Sequence, residues 1–391
     1  MRKTISTAVI GLGGRGLFLA SLYHSNSHPG FELRALCDLN PKVLDKAGQR
    51  FGENVAYYSD MHEMLRDPAV EAVLVTTNDP HHVEPTLAAL RADKHVFVEK
   101  PLCQDVDEAR KIISLARQSP GIFMIGFELR SCTVFEQMKA LLDEGRIGDV
   151  KIGHCFDNVS VGGNFYFHDP QRQKAFYKTL LLQKASHSLD LLNWFMGSTP
   201  VKVYGTGGLD YFGNQAEPAL QCHKCPVAPE CPYEINPRGF QLDYDAVIEV
   251  ADHCVWSREM DLLDNSQLLI SYANGGRATF HECHFTPEYS REFWLVGTKG
   301  KMFGYYDNPG RFLIRIEYSH SAAQRAEEWK PPHTGGSHGG GDERLRDEFY
   351  RRIIENDRAE EAMESAYYST ALALCGEESI ESGMPVMIPP L

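Results

Sequence analysis

Over its first third the chain alternates two hydrophobic patterns. Short β-branched or apolar runs, TISTAVIG, FELRALCD, VEAVLVTT, HVFVEKP and GIFMIGF, are separated by longer stretches with helical spacing, GLFLASLYHS, PKVLDKAGQRFG, HHVEPTLAALRAD and DVDEARKIISLARQ. Strand and helix alternating in this way predict βαβ units, right-handed crossovers and a doubly wound parallel sheet. The later chain reads differently. NSQLLISYA, RATFHECHF, REFWLVGT, KMFGYY and RFLIRIEYS are short, often alternating segments, and ANGGR between the first two is a hairpin signal. Consecutive strands with tight turns predict a large, mostly antiparallel open sheet. The expectation is an α/β chain of two domains, residues 1–128 and 129–391. The second carries a Cys-rich insert at about 220–255 and helices at about 342–376.

Length and composition fit that division. The 391 residues are too many for one ordinary core, and 43% hydrophobic with 24% charged residues describes a globular protein. A net charge of −14 with no offsetting basic block argues against nucleic acid or an anionic membrane as partner. No apolar run approaches the ~20 residues of a membrane span. MRKTISTAVIGLGG resembles a signal peptide only superficially, because its apolar stretch runs into a glycine turn. A cytoplasmic location is expected.

The first turn reads GLGGRG, and Gly11, Gly13 and Gly16 fit G-x-G-x-x-G. The pattern follows a strand and opens a helix, the context in which glycines let backbone N–H groups approach a pyrophosphate. Gly14 and Arg15 lie within the same turn. Asp38 ends the second strand, 22 residues after Gly16, where a carboxylate accepts ribose hydroxyls. Leu39-Asn40-Pro41 offer no Arg for a 2′-phosphate, so NAD is favoured over NADP, with Lys42 the one nearby cation.

TTNDPHHVEPTLAALRADKHVFVEKPL, with Thr77, His82, Lys94-His95-Val96 and Glu99-Lys100-Pro101, resembles the Gfo/Idh/MocA oxidoreductase family. The likeness continues through RIGDV, SHSLDLLNWFMG and GTKG, departing at Asn78, where Pro is usual, and at Asp93, where Gly is usual. It implies a Rossmann domain followed by a mostly antiparallel α/β domain, and a homodimer or homotetramer. It also places Thr77, His82, Glu99 and Lys100 beside the cofactor. Lys100, at the end of a parallel strand, would favour the alkoxide form of a substrate hydroxyl, where the plainer reading is a salt bridge to Glu99.

In KASHSLDLLNWF, His187 matches the family's catalytic His, and a neutral imidazole suits a general base near pH 7. Asp190, three residues on, would orient the substrate or the imidazole. Many members carry Asp four residues before this His; this chain has Gln183, which cannot accept a proton. His187 must therefore act alone or with Asp190. Lys184 matches a K-x-x-H-x-x-D branch and would bind hydroxyls or an anionic group. Arg130 is a further candidate, with a salt bridge to Glu128 as the alternative. Lys178 closes an aromatic and basic stretch, Asn164–Lys178, of a composition that suits sugars. His338, central in GGSHGGGDERLRDEF, would reach the site from a lid-like loop ahead of Asp342, a helix N-cap.

Cys222, Cys225 and Cys231 are spaced C-x2-C-x5-C, and Cys254 follows. Such spacing predicts a structural zinc stapling a coreless insert, with His223 as an alternative ligand and an iron–sulfur cluster as an alternative group. The function expected is hydride transfer between a sugar, glycoside or cyclic polyol carbon, C3 in a glycoside, and nicotinamide. The alternatives are an NAD-dependent glycosidase working by transient C3 oxidation and a non-catalytic sugar sensor.

Overall fold

The structure is a computed structural model that describes residues 3–24, 28–160, 166–169, 171–235, 252–307, 310–318 and 325–391. Parts of the aromatic stretch from Asn164 and of the Cys-rich insert lie outside the described residues. The described chain forms two compact units, one of Met1–Gly126 with Glu343–Tyr367, the other of Phe127–Asn236, Ala251–Asp342 and Tyr368–Leu391.

The first unit holds a parallel sheet in the order β3-β2-β1-β4-β5-β6. Its elements are β1 (Ile5–Ile10), α1 (Gly14–His24), β2 (Phe31–Cys37), α2 (Pro41–Phe51), β3 (Ala56–Tyr58), α3 (Met61–Leu65), β4 (Ala72–Val75), α4 (Val83–Arg91), β5 (His95–Val98), α5 (Val106–Gln118) and β6 (Phe123–Ile125). Alternation along the chain predicts five of these strands. The sixth, β3, has three residues, too few for a period to show. Helix starts follow local chemistry. Asn40 caps α2 ahead of Pro41, and the Asp105 carboxylate accepts the amides of Asp107 and Glu108 at the start of α5. The core gathers Val9, Leu36, Leu74 and Phe97 with Leu345, Phe349 and Ile353 from the returning segment. Phe349 is fully buried, with ring centroids 5.9 Å from Phe97 and 6.1 Å from Phe31. A side chain of that size contributes roughly 1.5–3 kcal/mol when buried.

In the second unit are α6 (Thr133–Asp143), β7 (Val150–Val159), α7 (Lys174–Tyr177), α8 (Leu180–Gln183), α9 (Ser186–Met196) and β8 (Pro200–Gly208). Then come β9 (Asn265–Tyr272), β10 (Arg277–Cys283), β11 (Tyr289–Gly297), β12 (Gly300–Asp307), β13 (Leu313–Tyr318) and β14 (Ala326–Trp329). Helices α10 (Gly341–Glu355) and α11 (Glu360–Ser382) and strand β15 (Val386–Met387) end the chain. Nine strands form one sheet, β14-β13-β12-β11-β7-β10-β9-β8-β15, antiparallel except at β7–β10. β9 and β10 alternate buried and exposed positions, as their sequences predict. One face is covered; Ile152, Phe156, Leu269, Trp294 and Val296 stand on the other and are exposed. No helix among the described residues is long and apolar enough to cross a membrane.

Candidate active site

The glycine turn after β1 is built for close approach. Gly11 has φ +91°, and a Cβ there would lie 2.6 Å from Thr77 N. A Cβ on Gly16 would lie 2.0 Å from Gly11 O, so α1 packs on the turn only if that residue is glycine. At Gly13 a Cβ would meet nothing within 4 Å. Two glycines therefore close the turn, and the middle one leaves open space where a pyrophosphate would rest against backbone N–H groups. The Asp38 carboxylate holds the rim: Oδ2 accepts Leu12 N at 2.7 Å and Oδ1 accepts Asn40 N at 2.8 Å. Each oxygen keeps a second lone pair for a ribose hydroxyl. These residues fit a dinucleotide.

β5 ends at Val98, and Glu99 is buried just beyond it. Arg15 Nε donates to Glu99 Oε1 at 2.7 Å and Lys100 N donates to Oε2 at 3.2 Å, so the carboxylate ties the glycine turn to the strand tip. The Lys100–Pro101 peptide is cis. His82 is buried with Nδ1 2.6 Å from Pro101 O and Nε2 2.8 Å from Thr77 O, clamping two loops together. Thr77 Oγ1 donates to His81 O. Asp79, on the same turn, is buried; burial raises its carboxyl, and the neighbouring His82 and Lys100 charges oppose that rise.

The second unit contains a polar core on the covered face of its sheet. β12, β11, β7, β10 and β9 are registered so that Tyr306, Arg291, Asp157, Glu282 and Ser266 stand side by side in one row. Lys184 Nζ donates to Asp157 at 3.1 and 3.2 Å; Ser188, from α9, donates to Asp157 Oδ2 and accepts Arg291 Nε at 2.9 Å. Burial alone would raise the Asp157 carboxyl, and the Arg291 and Lys184 cations hold it below its usual range. Burial would likewise raise the Tyr289 phenol. Arg291, whose Nη1 lies 3.0 Å from the hydroxyl, and Lys184 reverse this and bring it down to about 8. Glu282 is raised by burial, with His284 3.3 Å away opposing the rise.

One residue along α9 from Ser188, His187 faces a second group. Its Nε2 is 3.3 Å from Glu128 Oε1, and His338 Nε2 is 3.2 Å from the same oxygen. His338 Nδ1 is 3.0 Å from Asp342 Oδ2. Asp190, the partner expected for His187, instead takes Arg130 in a two-point pair at 2.6 and 2.8 Å, and the Arg130 guanidinium also lies over the Trp194 ring. Glu128 thus stands beside His187, and Arg130 pairs with Asp190. Lys184 is buried and ion-paired with Asp157. Lys178 is exposed at the left-handed end of α7, with φ +63°.

Sequence reasoning did not single out Asp157, Ser188, Glu282, Tyr289 or Arg291. The signal was available: Asp157, Glu282 and Arg291 are charged residues at inward positions of alternating strands.

The expected metal site is a correction. Among the described residues no group of three or more His, Cys, Asp or Glu is arranged to hold a metal ion, and Cys222, Cys225, Cys231 and Cys254 are free thiols. Burial raises the Cys222 and Cys254 thiols, favouring the protonated form. The insert is not coreless. It shares an apolar cluster of Phe167, Tyr177, Phe212, Val255 and Met260, and the buried Arg172 donates to Phe167 O, Cys254 O and Glu259, each at 2.7 Å.

A glycine cradle with a ribose-side carboxylate, on a doubly wound sheet, defines a dinucleotide-dependent oxidoreductase class. Residues 5–127 match the model of the oxidoreductase family with an NAD-binding Rossmann fold, and residues 135–303 match the GFO/IDH/MocA C-terminal domain. The chain belongs to the Gfo/Idh/MocA oxidoreductase family. YteT of Bacillus subtilis (strain 168), an oxidoreductase with no substrate in its name, is 25% identical over 82% of each chain. Inositol 2-dehydrogenase of Salmonella typhimurium (strain LT2) is 30% identical over 51% of this chain and 58% of its own, so this chain spans little more than half of that enzyme. Among solved structures, levoglucosan dehydrogenase in complex with NADH has a TM-score of 0.76 at 18% identity, covering 100% of both chains. Scyllo-inositol dehydrogenase from Lactobacillus casei, with NAD(H) and scyllo-inositol, has 0.70 at 22%, covering 99% of both. At these identities the structural likeness speaks to the fold.

Proposed function

We propose that the chain is an NAD-dependent dehydrogenase of a sugar, glycoside or cyclic polyol, acting at C3 where the substrate is a glycoside. The observation that carries this reading is the buried imidazole of His187 held against the Glu128 carboxylate, in a chain whose first unit carries the glycine cradle. The turn Gly11–Gly16, with Gly13, Gly14 and Arg15, and the Asp38 carboxylate would hold NAD, which supplies the hydride acceptor when bound. His187 takes the hydroxyl proton, with Glu128 stabilising the imidazolium. The Lys100 ammonium favours alkoxide character on the substrate oxygen. Lys184, Asp157, Tyr289 and Arg291 offer the dense donors and acceptors that a polyhydroxylated ring requires. The inositol and levoglucosan dehydrogenases among the relatives support this substrate class.

A second reading, the glycosidase that oxidises C3 transiently, expels the aglycone, adds water and re-reduces, gains one observation. Tyr289, brought down to about 8, is a second group able to take a proton, as elimination demands. Incubation with NAD and a panel of inositols, levoglucosan and aryl glycosides separates the two. Accumulating NADH supports the dehydrogenase; aglycone release without NADH supports the glycosidase. Turnover unchanged in Lys100→Ala would overturn both assignments of that residue and point to a different catalytic residue; no turnover with any member of the panel would favour a sensor.

The exposed apolar face of the large sheet supports a homodimer or homotetramer, and ten cysteines with no disulfide among the described residues suit the reducing cytoplasm. Light scattering that finds a monomer at micromolar concentration would sink the first proposal.

A further inference from the structure

The segment GGSHGGGD takes a conformation that only its glycines permit. Gly335, Gly336, Gly339 and Gly340 all have positive φ, and His338 among them has φ +51° and ψ +36°. A non-glycine residue in the left-handed region is strained, because its Cβ crowds the following carbonyl oxygen. A Cβ at Gly341 would lie 2.4 Å from Glu128 O, and one at Gly340 would lie 2.2 Å from Thr334 Oγ1. The loop is thus pressed onto the turn that carries Glu128, with Thr334 Oγ1 donating to Gly339 O at 2.7 Å. The strained residue is the one whose ring meets Glu128. Backbone strain held at one position by so many close approaches points to a use for that side chain.

Four groups follow in line: His187 Nε2, 3.3 Å, Glu128 Oε1, 3.2 Å, His338 Nε2, and from His338 Nδ1, 3.0 Å, Asp342 Oδ2. The side chains of His187, Glu128 and Asp342 are 6%, 2% and 1% exposed, whereas His338 is 32% exposed. Among the described residues, Cys132 and Tyr306 also face this line. Cys132 Sγ adjoins Gly339, and Tyr306 feels the Glu128 charge.

We propose that Glu128 and His338, the latter oriented by Asp342, form a proton relay that connects the buried His187 to solvent. The proposal rests on the dehydrogenase reading and extends it. Oxidation of a carbinol to a ketone sends the C–H electron pair to NAD as hydride and leaves one proton. The substrate O–H bond breaks as the His187 ring gains that proton, and the O–H pair becomes the new C=O bond. His187 Nε2–H passes its proton to Glu128 Oε1, the carboxylic acid passes it to His338 Nε2, and the imidazolium gives it to water. Reduction runs the same steps backwards. His338 and Glu128 are positioning and transfer residues; neither is assigned a contact with substrate.

The test uses the full chain with NAD and variants His338→Asn and His338→Gly. Asn tolerates the left-handed region and Gly is unstrained there, so at least the glycine variant keeps the fold. With scyllo-inositol, myo-inositol or levoglucosan as probe, either variant should lower kcat about tenfold, less than the 100- to 10,000-fold expected of a group that touches the reacting atoms. KM should stay within about twofold, since no substrate contact is lost. The solvent isotope effect should rise, and imidazole added to the His338→Gly protein should restore kcat. In parallel, nitrogen-15 NMR of labelled histidines should show the His187 titration moving in both variants. Unchanged kcat and isotope effect, or an unmoved His187 titration, overturns the relay. The titration needs no substrate. If none of the three probes is oxidised by the unsubstituted protein, the dehydrogenase reading falls while the NMR result still decides whether the four groups are coupled.

Discussion

The cofactor cradle of the first unit and the polar core of the second are built on opposite plans. The cradle is backbone: three glycines, each at a fixed place in one turn, make room and point N–H groups, and a single carboxylate, Asp38, finishes it. The polar core is side chain: Asp157, Glu282 and Arg291 meet through the register of three strands, and Lys184, at the end of α8, and Ser188, on α9, join them from outside the sheet. A turn can be made only by residues adjacent in sequence, so its requirement is written locally. A buried charge network needs partners from about thirty to more than a hundred positions apart, and each partner alone is an ordinary polar or charged residue. The first plan tolerates nothing with a Cβ at two positions. The second tolerates nothing that leaves a buried charge alone.

The sharpest way to break the comparison is chemical. His187→Ala should lower kcat roughly 100- to 10,000-fold, while NAD binding, measured by quenching of intrinsic fluorescence, stays unchanged. Lost NAD binding would mean that the two plans are not separate. Next in size, Asp157→Ala should destabilise the protein by about 3–5 kcal/mol in urea unfolding, because it strands Lys184 and Arg291 in the interior. The pH dependence carries the sign of a lowered carboxyl. The stabilisation is complete above the unfolded Asp value near 3.9 and is lost as pH falls through the lower folded value. A variant whose unfolding free energy falls by less than about 1 kcal/mol would show that water reaches the pair.

Smaller effects separate the glycines. Gly16→Ala should cost about 1–3 kcal/mol of stability, because its methyl group must displace the backbone of Gly11. Gly13→Ala should leave the melting temperature of the NAD-free protein unchanged and weaken NAD binding, because its methyl group enters only open space. Equal melting temperatures for the two would refute the reading of the cradle. The smallest effect is spectroscopic. Phenolate absorbance should show one tyrosine ionising near pH 8, absent in Tyr289→Phe. As a lowered acid, Tyr289 adds stability above its unfolded value near 10 and loses it as pH falls through 8.

Both sheets were legible as patterns. Alternating strand and helix in the first third dictated a parallel sheet, since βαβ crossovers admit no other, and period-two strands dictated a sheet with one covered face. GLGGRG and Asp38 announced the cradle for the same reason: each requirement lies within a few residues. Three features were decided elsewhere. Gln183 removed the carboxylate expected beside His187, and only the folded chain showed that Glu128, 59 positions earlier, takes its place at 3.3 Å. The cysteine spacing promised a metal, but the insert found its own apolar cluster and the buried Arg172, so burial raises the two inner thiols instead. The return of Glu343–Tyr367 to the first unit left no mark in the alternation, because an amphipathic helix does not state which sheet it will cover. Sequence by itself determined the periods, the glycine geometry and the residue types available for chemistry, all of which act over a few bonds. Tertiary structure alone decided which charges became partners, because pairing in a low-dielectric interior depends on distance in space and not on separation along the chain.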